Sequence, residues 1–381
     1  MIIKNLKIVL KDKVIENGYL KIDGKTIKGI FEGEYKGEES AVDGGGRIAM
    51  PGFIDIHIHG SNNIDFMDAT KDDYKVIAKG LYSEGVTTFL ATTLTSDNNS
   101  LAKVCKAVKE AKNDVPSLGG IHFEGPYISA KHKGAQNEAF IRNPDIDELK
   151  ELQELSGNNV RYIALAPEKD GALDFISEAR KIGVVCSAGH TDATFDDVEH
   201  AIGAGLTNTT HTHNAMSGHH HRNPGVVTAA MYFNELFTEV ICDGIHVCPN
   251  TIKTFYKIAG PDKFMIITDA LQAKHSTVDT FQLFGLDCVR KNGAAYLTES
   301  EGGNLAGSLL NFDRGIRNVR EITNCSLIDV MKISSYNQAK SLKLNDRGEL
   351  VAGKLADFVL MDESLNLKQV YKLGEKVFEN D

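Results

Sequence analysis

The chain has 381 residues, with 42 Lys and Arg against 52 Asp and Glu, giving a formal net charge of −10. That length allows two or three domains around a large core, and 42% hydrophobic with 25% charged residues excludes disordered and fibrous classes. An acidic chain with no Lys/Arg run is a poor match for nucleic acid or an anionic membrane surface, so an anionic substrate must be met by a local cluster of donors.

The first fifty residues read as short strands at 2–9, 14–22 and 25–31, broken by the turn signals Asn17-Gly18 and Asp23-Gly24. From Phe53 the rhythm changes. Eight β-rich runs follow, at 53–59, 86–93, 118–124, 160–166, 183–190, 206–211, 238–243 and 264–269, with helical patterns between most of them. One helix is predicted over 70–84, with Thr70 as N-cap and Tyr74, Ile77, Ala78 and Leu81 on one face. Another is predicted over 192–204, with Phe195, Val198 and Ile202 aligned and Gly205 as a stop. This alternation predicts a parallel (β/α)8 TIM barrel, an α/β fold.

Residues 271–304 interrupt the rhythm as an inserted hairpin or loop region. Helices are expected near 307–321 and 327–342, then strands at 358–361 and 369–377. Both termini, 1–50 and 346–381, are expected to form one small β-sandwich domain beside a catalytic barrel domain over 51–345. No apolar stretch of about 18 residues predicts a membrane span. The N-terminal patch, broken by Lys4, Asn5 and Lys7, does not resemble a signal peptide. Six cysteines without a CxxC pair predict reduced thiols in a cytoplasmic protein.

Polar residues gather at the C-terminal ends of the eight runs, where barrel enzymes place their chemistry. His57 and His59 are spaced i, i+2 at the end of an apolar strand, which puts both imidazoles on one face. Two buried imidazoles need partners, and a metal satisfies both. Glu124, His190 and His211 end the third, fifth and sixth runs. Together they form a nitrogen and oxygen donor set suited to zinc, iron, manganese or cobalt, with a position left for water. Taken alone, Glu124 reads equally well as a buried partner of a Lys or Arg. Asp269 ends the eighth run, either as a general base beside the metal or as a helix N-cap. His246 is a substrate contact or a satisfied loop histidine. The run His219-His220-His221-Arg222 is a solvated loop or a set of donors for an anion such as phosphate.

The segment Pro51–His59 (PGFIDIHIH) and the stretch GKLADFV at 353–359 resemble the amidohydrolase superfamily. HFEGPY (122–127), KGAQN (133–137), AGHT (188–191), HTHNAM (211–216), HRNPG (221–225), DGIHV (243–247), TDA (268–270) and LAGS (305–308) resemble its N-acetylglucosamine-6-phosphate deacetylase family, in that family's order. The resemblance spans essentially the whole chain. It implies hydrolysis of the N-acetyl group of N-acetylglucosamine 6-phosphate to glucosamine 6-phosphate and acetate.

It further implies a metal held by Glu124, His190 and His211, with Asp269 as acid and base. His246 would contact the sugar, backbone groups at Asn214 and Ala215 would help hold it, and Leu305 belongs to the substrate-lining LAGS motif. Arg222 belongs to phosphate recognition, and the family is usually homodimeric. Some members carry Gln-x-Asn where this chain has His57 and His59. Keeping both histidines predicts one or two ions per subunit, the second bridged through Glu124 and reaching Asp269. Gln136 stands where some members place a histidine that polarises the acetyl carbonyl. The rival readings are another amidohydrolase, acting on a cyclic amide, a nucleobase or an N-acyl amino acid, and a non-catalytic scaffold on the same barrel.

Overall fold

The computed structural model describes residues 1–283, 285–301 and 303–380. Eight parallel strands form a sheet in which each strand pairs with its neighbour in the sequence. They are Phe53–Ile58, Val86–Thr93, Leu118–Glu124, Val160–Leu165, Val185–Ala188, Asn208–Thr209, Phe237–Ile241 and Phe264–Ile267. The sheet comes round on itself where the Asp269 N–H donates to His57 O at 2.8 Å and the His59 N–H donates to Ala270 O at 2.9 Å. The architecture is therefore the expected TIM barrel. The bonds that bring its first and last strands together are made by backbone groups of the candidate site residues His57, His59 and Asp269, together with Ala270.

The strands form where β-branched and aliphatic residues can be buried on both faces, as parallel sheets require. The helices between them cover one large core. The helix Phe195–Ala204 stops at Gly205 as expected but starts three residues later than its pattern suggests, behind a capping box between Thr194 and Asp197. The first barrel helix starts later than its pattern suggests, at Asp73. Thr70 spends both its N–H and its hydroxyl on the Asp73 carboxylate, which stabilises a turn ahead of the helix.

Both termini contribute to a second sheet, in which the strand Ile48–Pro51 lies between Ile2–Val9 and Phe358–Met361. Its side chains alternate between two cores. Ile48, Met50, Val359 and Met361 join the large core, while Ala49, Phe358 and Leu360 meet Ile3, Leu6, Ile8 and Leu20 in a smaller one. The sheet curls far enough for Ile27 and Ala356 to reach Lys354 and Lys25 through main-chain bonds of 2.8 Å each.

Asn17-Gly18 is not a turn. It lies inside the strand Val14–Asp23, where Gly18 faces both Leu6 and Glu32. A Cβ at Gly18 would lie 2.5 Å from the Phe31 carbonyl oxygen, so the glycine serves a close strand approach. The expected strand 369–377 is two strands, Leu367–Lys372 and Glu375–Glu379, folded back at Leu373-Gly374. The interruption at 271–304 is a four-stranded antiparallel sheet, Thr280–Leu283, Leu286–Lys291, Ala294–Leu297 and Leu305–Ser308. Gly307 thus belongs to a strand, and the helix expected near it runs over Phe312–Thr323. No helix among the described residues is long and apolar enough to cross a membrane.

A buried charge cluster ties the barrel to the segment after its eighth strand. Lys274, fully buried, lies 2.7 Å from Glu84, whose other oxygen is 2.9 Å from His275. Removing one member of a buried ion pair strands the other, at a cost of about 3–5 kcal/mol. We expect Glu84→Ala to lose that much in urea unfolding and Glu84→Ala with Lys274→Met to regain most of it. A loss below about 1 kcal/mol for the single variant would contradict this.

Candidate metal centre

Six candidate donors converge at the C-terminal end of the barrel, each no more than 8% exposed. His57 and Glu124 lie within their strands, but His59 is one residue beyond, and His190, His211 and Asp269 are two beyond. The reason is local. His190, His211 and Asp269 have φ of +49°, +30° and +50°, left-handed values that end the parallel ladder. Such conformations cost on the order of 1–3 kcal/mol and persist where the surroundings over-determine them. Gly125, at φ +85°, turns the chain directly after Glu124, where a Cβ would meet Thr95 Oγ1 at 2.1 Å.

The donors form two groups that share Glu124. Its Oε1 lies 3.1 Å from His190 Nε2, 3.0 Å from His211 Nε2 and 3.2 Å from His57 Nε2. Its Oε2 lies 3.3 Å from His59 Nε2. Asp269 Oδ1 stands 3.1 Å from His59 Nε2 and 3.4 Å from His57 Nε2. No helix begins at Asp269 and no Lys or Arg pairs with Glu124 among the described residues, so neither alternative reading of these two residues applies.

The tautomers show what the centre requires. His190 Nδ1 lies 2.8 Å from the His132 carbonyl oxygen, which only accepts, so Nδ1 carries the hydrogen and Nε2 presents a lone pair. That lone pair faces a carboxylate oxygen at 3.1 Å and His211 Nε2 at 3.0 Å. Acceptors this close need a proton or a metal cation among them. Donors about 2.0–2.2 Å from a tetrahedral zinc are separated by roughly 3.3 Å, close to these spacings. Glu124, His190 and His211 therefore fit one divalent cation, and His57, His59 and Asp269 fit a second.

The charge balance agrees. Burial opposes charge on His59, but Asp269 and Glu124 override it and raise its pKa to about 9. Burial likewise opposes charge on His57, and Glu124 and Asp269 push it well above the usual imidazole value. Burial opposes ionisation of Asp269, yet His57 and His59 hold its pKa down. In the metal-free chain, protons stand in for cations.

A cavity of ≈ 300 Å³ opens over the centre, lined in part by Gln136, Asn214, Ala215, His246 and Leu305. Those five substrate candidates are brought together on its walls. Gln136 donates from Nε2 to Glu124 at 2.5 Å and accepts the Thr95 N–H at Oε1. The Asn214 N–H donates to His211 O, and the Ala215 carbonyl accepts the Thr191 N–H from the loop after the fifth strand. His246 is held through Nδ1 to Asp243 at 2.6 Å; burial opposes its charge and Asp243 outweighs it, raising the pKa.

Arg222 does not join the cavity of this chain. It lies on an exposed loop with its guanidinium on His221 at 2.9 Å. His122 packs edge-on against His57 at 4.6 Å between ring centroids and belongs to neither donor group. Two contributions escaped the sequence reading. The rim residues Lys131 and His132 are carried by a short turn, Ala130–His132, that sequence periodicity does not mark. Glu239 is fully buried under the centre, and its signal was a carboxyl group inside an otherwise apolar run.

Residues 48–377 match the family described as the Amidohydrolase family. The N-acetylglucosamine-6-phosphate deacetylase of Lysinibacillus sphaericus is 38% identical over 337 residues, covering 87% of this chain and 86% of its own. The solved structure of the Thermotoga maritima N-acetylglucosamine-6-phosphate deacetylase is 34% identical, with a TM-score of 0.91 over 100% of both chains. A mutant of the Mycobacterium smegmatis enzyme of the same name, solved in complex with N-acetyl-D-glucosamine-6-phosphate, is 28% identical, with a TM-score of 0.93 over 99% of each chain.

The protonation pattern generates a linked prediction. His59 has a folded pKa of about 9, above the ordinary 6.5. Its contribution to stability in metal-free protein is therefore fully present below pH 6.5 and lost as pH rises through about 9. We expect chelated protein to lose on the order of a few kcal/mol across that window in urea unfolding. We also expect cation uptake near neutral pH to release protons, measured by calorimetry in buffers of different ionisation enthalpy. Uptake without proton release would contradict the assignment.

Proposed function

The chain belongs to the amidohydrolase family, and on that premise we propose that it hydrolyses the N-acetyl amide of N-acetylglucosamine 6-phosphate to glucosamine 6-phosphate and acetate. The observation that carries this reading is the meeting of Glu124, His190 and His211 with Asp269 on the floor of one cavity, on a fold shared with a relative solved bound to that sugar phosphate.

Glu124, His190 and His211 would hold one divalent cation, and His57, His59 and Asp269 a second. The donors suit zinc, iron, manganese and cobalt alike. Bound there, a cation supplies Lewis acidity, bringing the pKa of a water from about 15.7 towards about 7 and polarising an acyl oxygen. The chain's own groups move the protons. Asp269 accepts the proton of the attacking water and returns it to the amine nitrogen as the C–N bond breaks. His246, fixed through Nδ1 by Asp243, offers its charged form's Nε2–H to a substrate oxygen. Gln136 holds the Glu124 carboxylate in place, and Leu305, with the loop at Asn214 and Ala215, bounds the sugar.

We assign this chemistry to residues 51–345, with 1–50 and 346–381 as a supporting β-domain. The exposed position of Arg222 supports a homodimer in which this loop reaches the other copy's cavity and meets the phosphate. Six cysteines spread over 381 residues without a CxxC pair support a reducing, cytoplasmic setting.

We expect acetate release from N-acetylglucosamine 6-phosphate, with no ammonia release from adenine or cytosine. Asp269→Asn should cost at least ~10²-fold in kcat. No acetate release, or a loss under tenfold in that variant, would overturn the reading. Arg222→Ala should raise KM about tenfold or more with kcat held, the loss of one charged hydrogen bond. An unchanged KM would remove Arg222 from phosphate recognition.

A further inference from the structure

Glu239 has no part in the proton movements above, yet its side chain contacts one residue of each donor group. It stands in the seventh barrel strand, Phe237–Ile241, and is fully buried. Its Oε2 accepts the main-chain N–H of His211 at 3.2 Å and faces His57 Nδ1 at 3.1 Å. Its Oε1 accepts the hydroxyl of Tyr162, itself fully buried.

A main-chain N–H only donates, so Oε2 acts as an acceptor. His57 Nδ1 must then carry a hydrogen, because two acceptors at 3.1 Å would repel. With the hydrogen on Nδ1, the lone pair of the neutral ring sits on Nε2. That atom is buried without a hydrogen-bond partner and points between Glu124 Oε1 and Asp269 Oδ1, at 3.2 and 3.4 Å. Rotation is closed off as well. The His57 ring is wedged edge-on against His122, and His122 edge-on against Tyr162, with centroids 4.6 Å apart in both pairs.

We propose that Glu239 is a positioning residue that fixes the tautomer of His57 and thereby makes the cation site of His57, His59 and Asp269, alongside the site of Glu124, His190 and His211. A carboxyl group behind a ligating imidazole selects its tautomer and strengthens its donor nitrogen, and loss of such a partner typically weakens metal binding about 10–100-fold. Without Glu239, His57 is free to carry its hydrogen on Nε2, where it blocks the second cation while the other three donors keep theirs. His211 keeps its own ring orientation through Glu124. The inference rests on the reading of the site as a metal centre.

The test is calorimetric titration of metal-depleted protein with Zn²⁺, paired with elemental analysis after gel filtration, for the parent, Glu239→Gln and Tyr162→Phe. The parent should take two equivalents. Glu239→Gln should keep one at parental affinity and weaken the other about 10–100-fold, with its metal-free unfolding midpoint held. Substitution with Co²⁺ should show the matching loss of one of two absorption components. Glu239→Gln that binds both equivalents at parental affinity overturns the proposal. So does loss of both equivalents from a folded variant, which would make Glu239 a support of the whole centre. A parent that takes fewer than two equivalents overturns the two-cation reading itself, a failure visible before any variant is made. If Glu239→Gln does not fold, Tyr162→Phe carries the test. A threefold or greater weakening of one equivalent supports the proposal, and unchanged binding overturns it.

Discussion

The Glu124 carboxylate has four imidazole nitrogens within 3.0–3.3 Å, in a nearly buried part of the barrel below the cavity. Such a gathering is unfavourable unless positive charge sits within it, and burial sharpens the penalty. The surrounding structure can be understood as what forces these groups together. The six donors come from five strand ends, so no local segment can assemble the site. Only a barrel that brings its eighth strand back to its first places Asp269 beside His57 and His59. The backbone groups of those same residues make the bonds that join the two strands. Closure of the fold and assembly of the donor set are therefore one event.

Support for the donors is polar and specific. The His132 carbonyl fixes His190, Gln136 and Thr95 fix Glu124, and Glu239 with Tyr162 fixes His57. Left-handed backbone at His190, His211 and Asp269 adds strain that the packed barrel absorbs. The four-stranded insertion is drawn into the same arrangement. The Ser308 N–H donates to the Asp269 carbonyl, which carries Leu305 to the rim of the cavity. A buried Lys274 paired with Glu84 pins the start of that insertion to the barrel.

Much of this was legible in the sequence because barrel chemistry has a register. A His, Glu or Asp at the end of a β-rich run declares which end of the barrel that run serves, and Glu124, His190, His211 and Asp269 all stand there, although the run ahead of His211, LTNTT, is itself largely polar. The i, i+2 spacing of His57 and His59 was equally readable. What escaped reading depends on partners distant in sequence. That Gln136 also bonds Glu124 and Thr95 could not be read, because only the fold brings those two residues to its two ends. The strand runs drawn through His190, His211 and Asp269 end earlier because a positive φ leaves no mark in hydrophobic periodicity. Asn17-Gly18 looked like a turn because the dipeptide favours one. The glycine instead relieves a close strand approach that only the β-pairing reveals. Glu239 did carry a signal, a carboxyl group inside an apolar strand, but its three partners come from three other strand regions.

The central claim is that the two donor groups hold divalent cations. Anomalous diffraction from crystals grown with Zn²⁺, collected above and below its absorption edge, tests it most directly. The account predicts one peak enclosed by Glu124, His190 and His211 and a second enclosed by His57, His59 and Asp269, roughly 3.5–4 Å apart as in two-metal sites generally. An edge-dependent map with no peak at either place, and imidazoles bonded directly to the carboxylates, would contradict it.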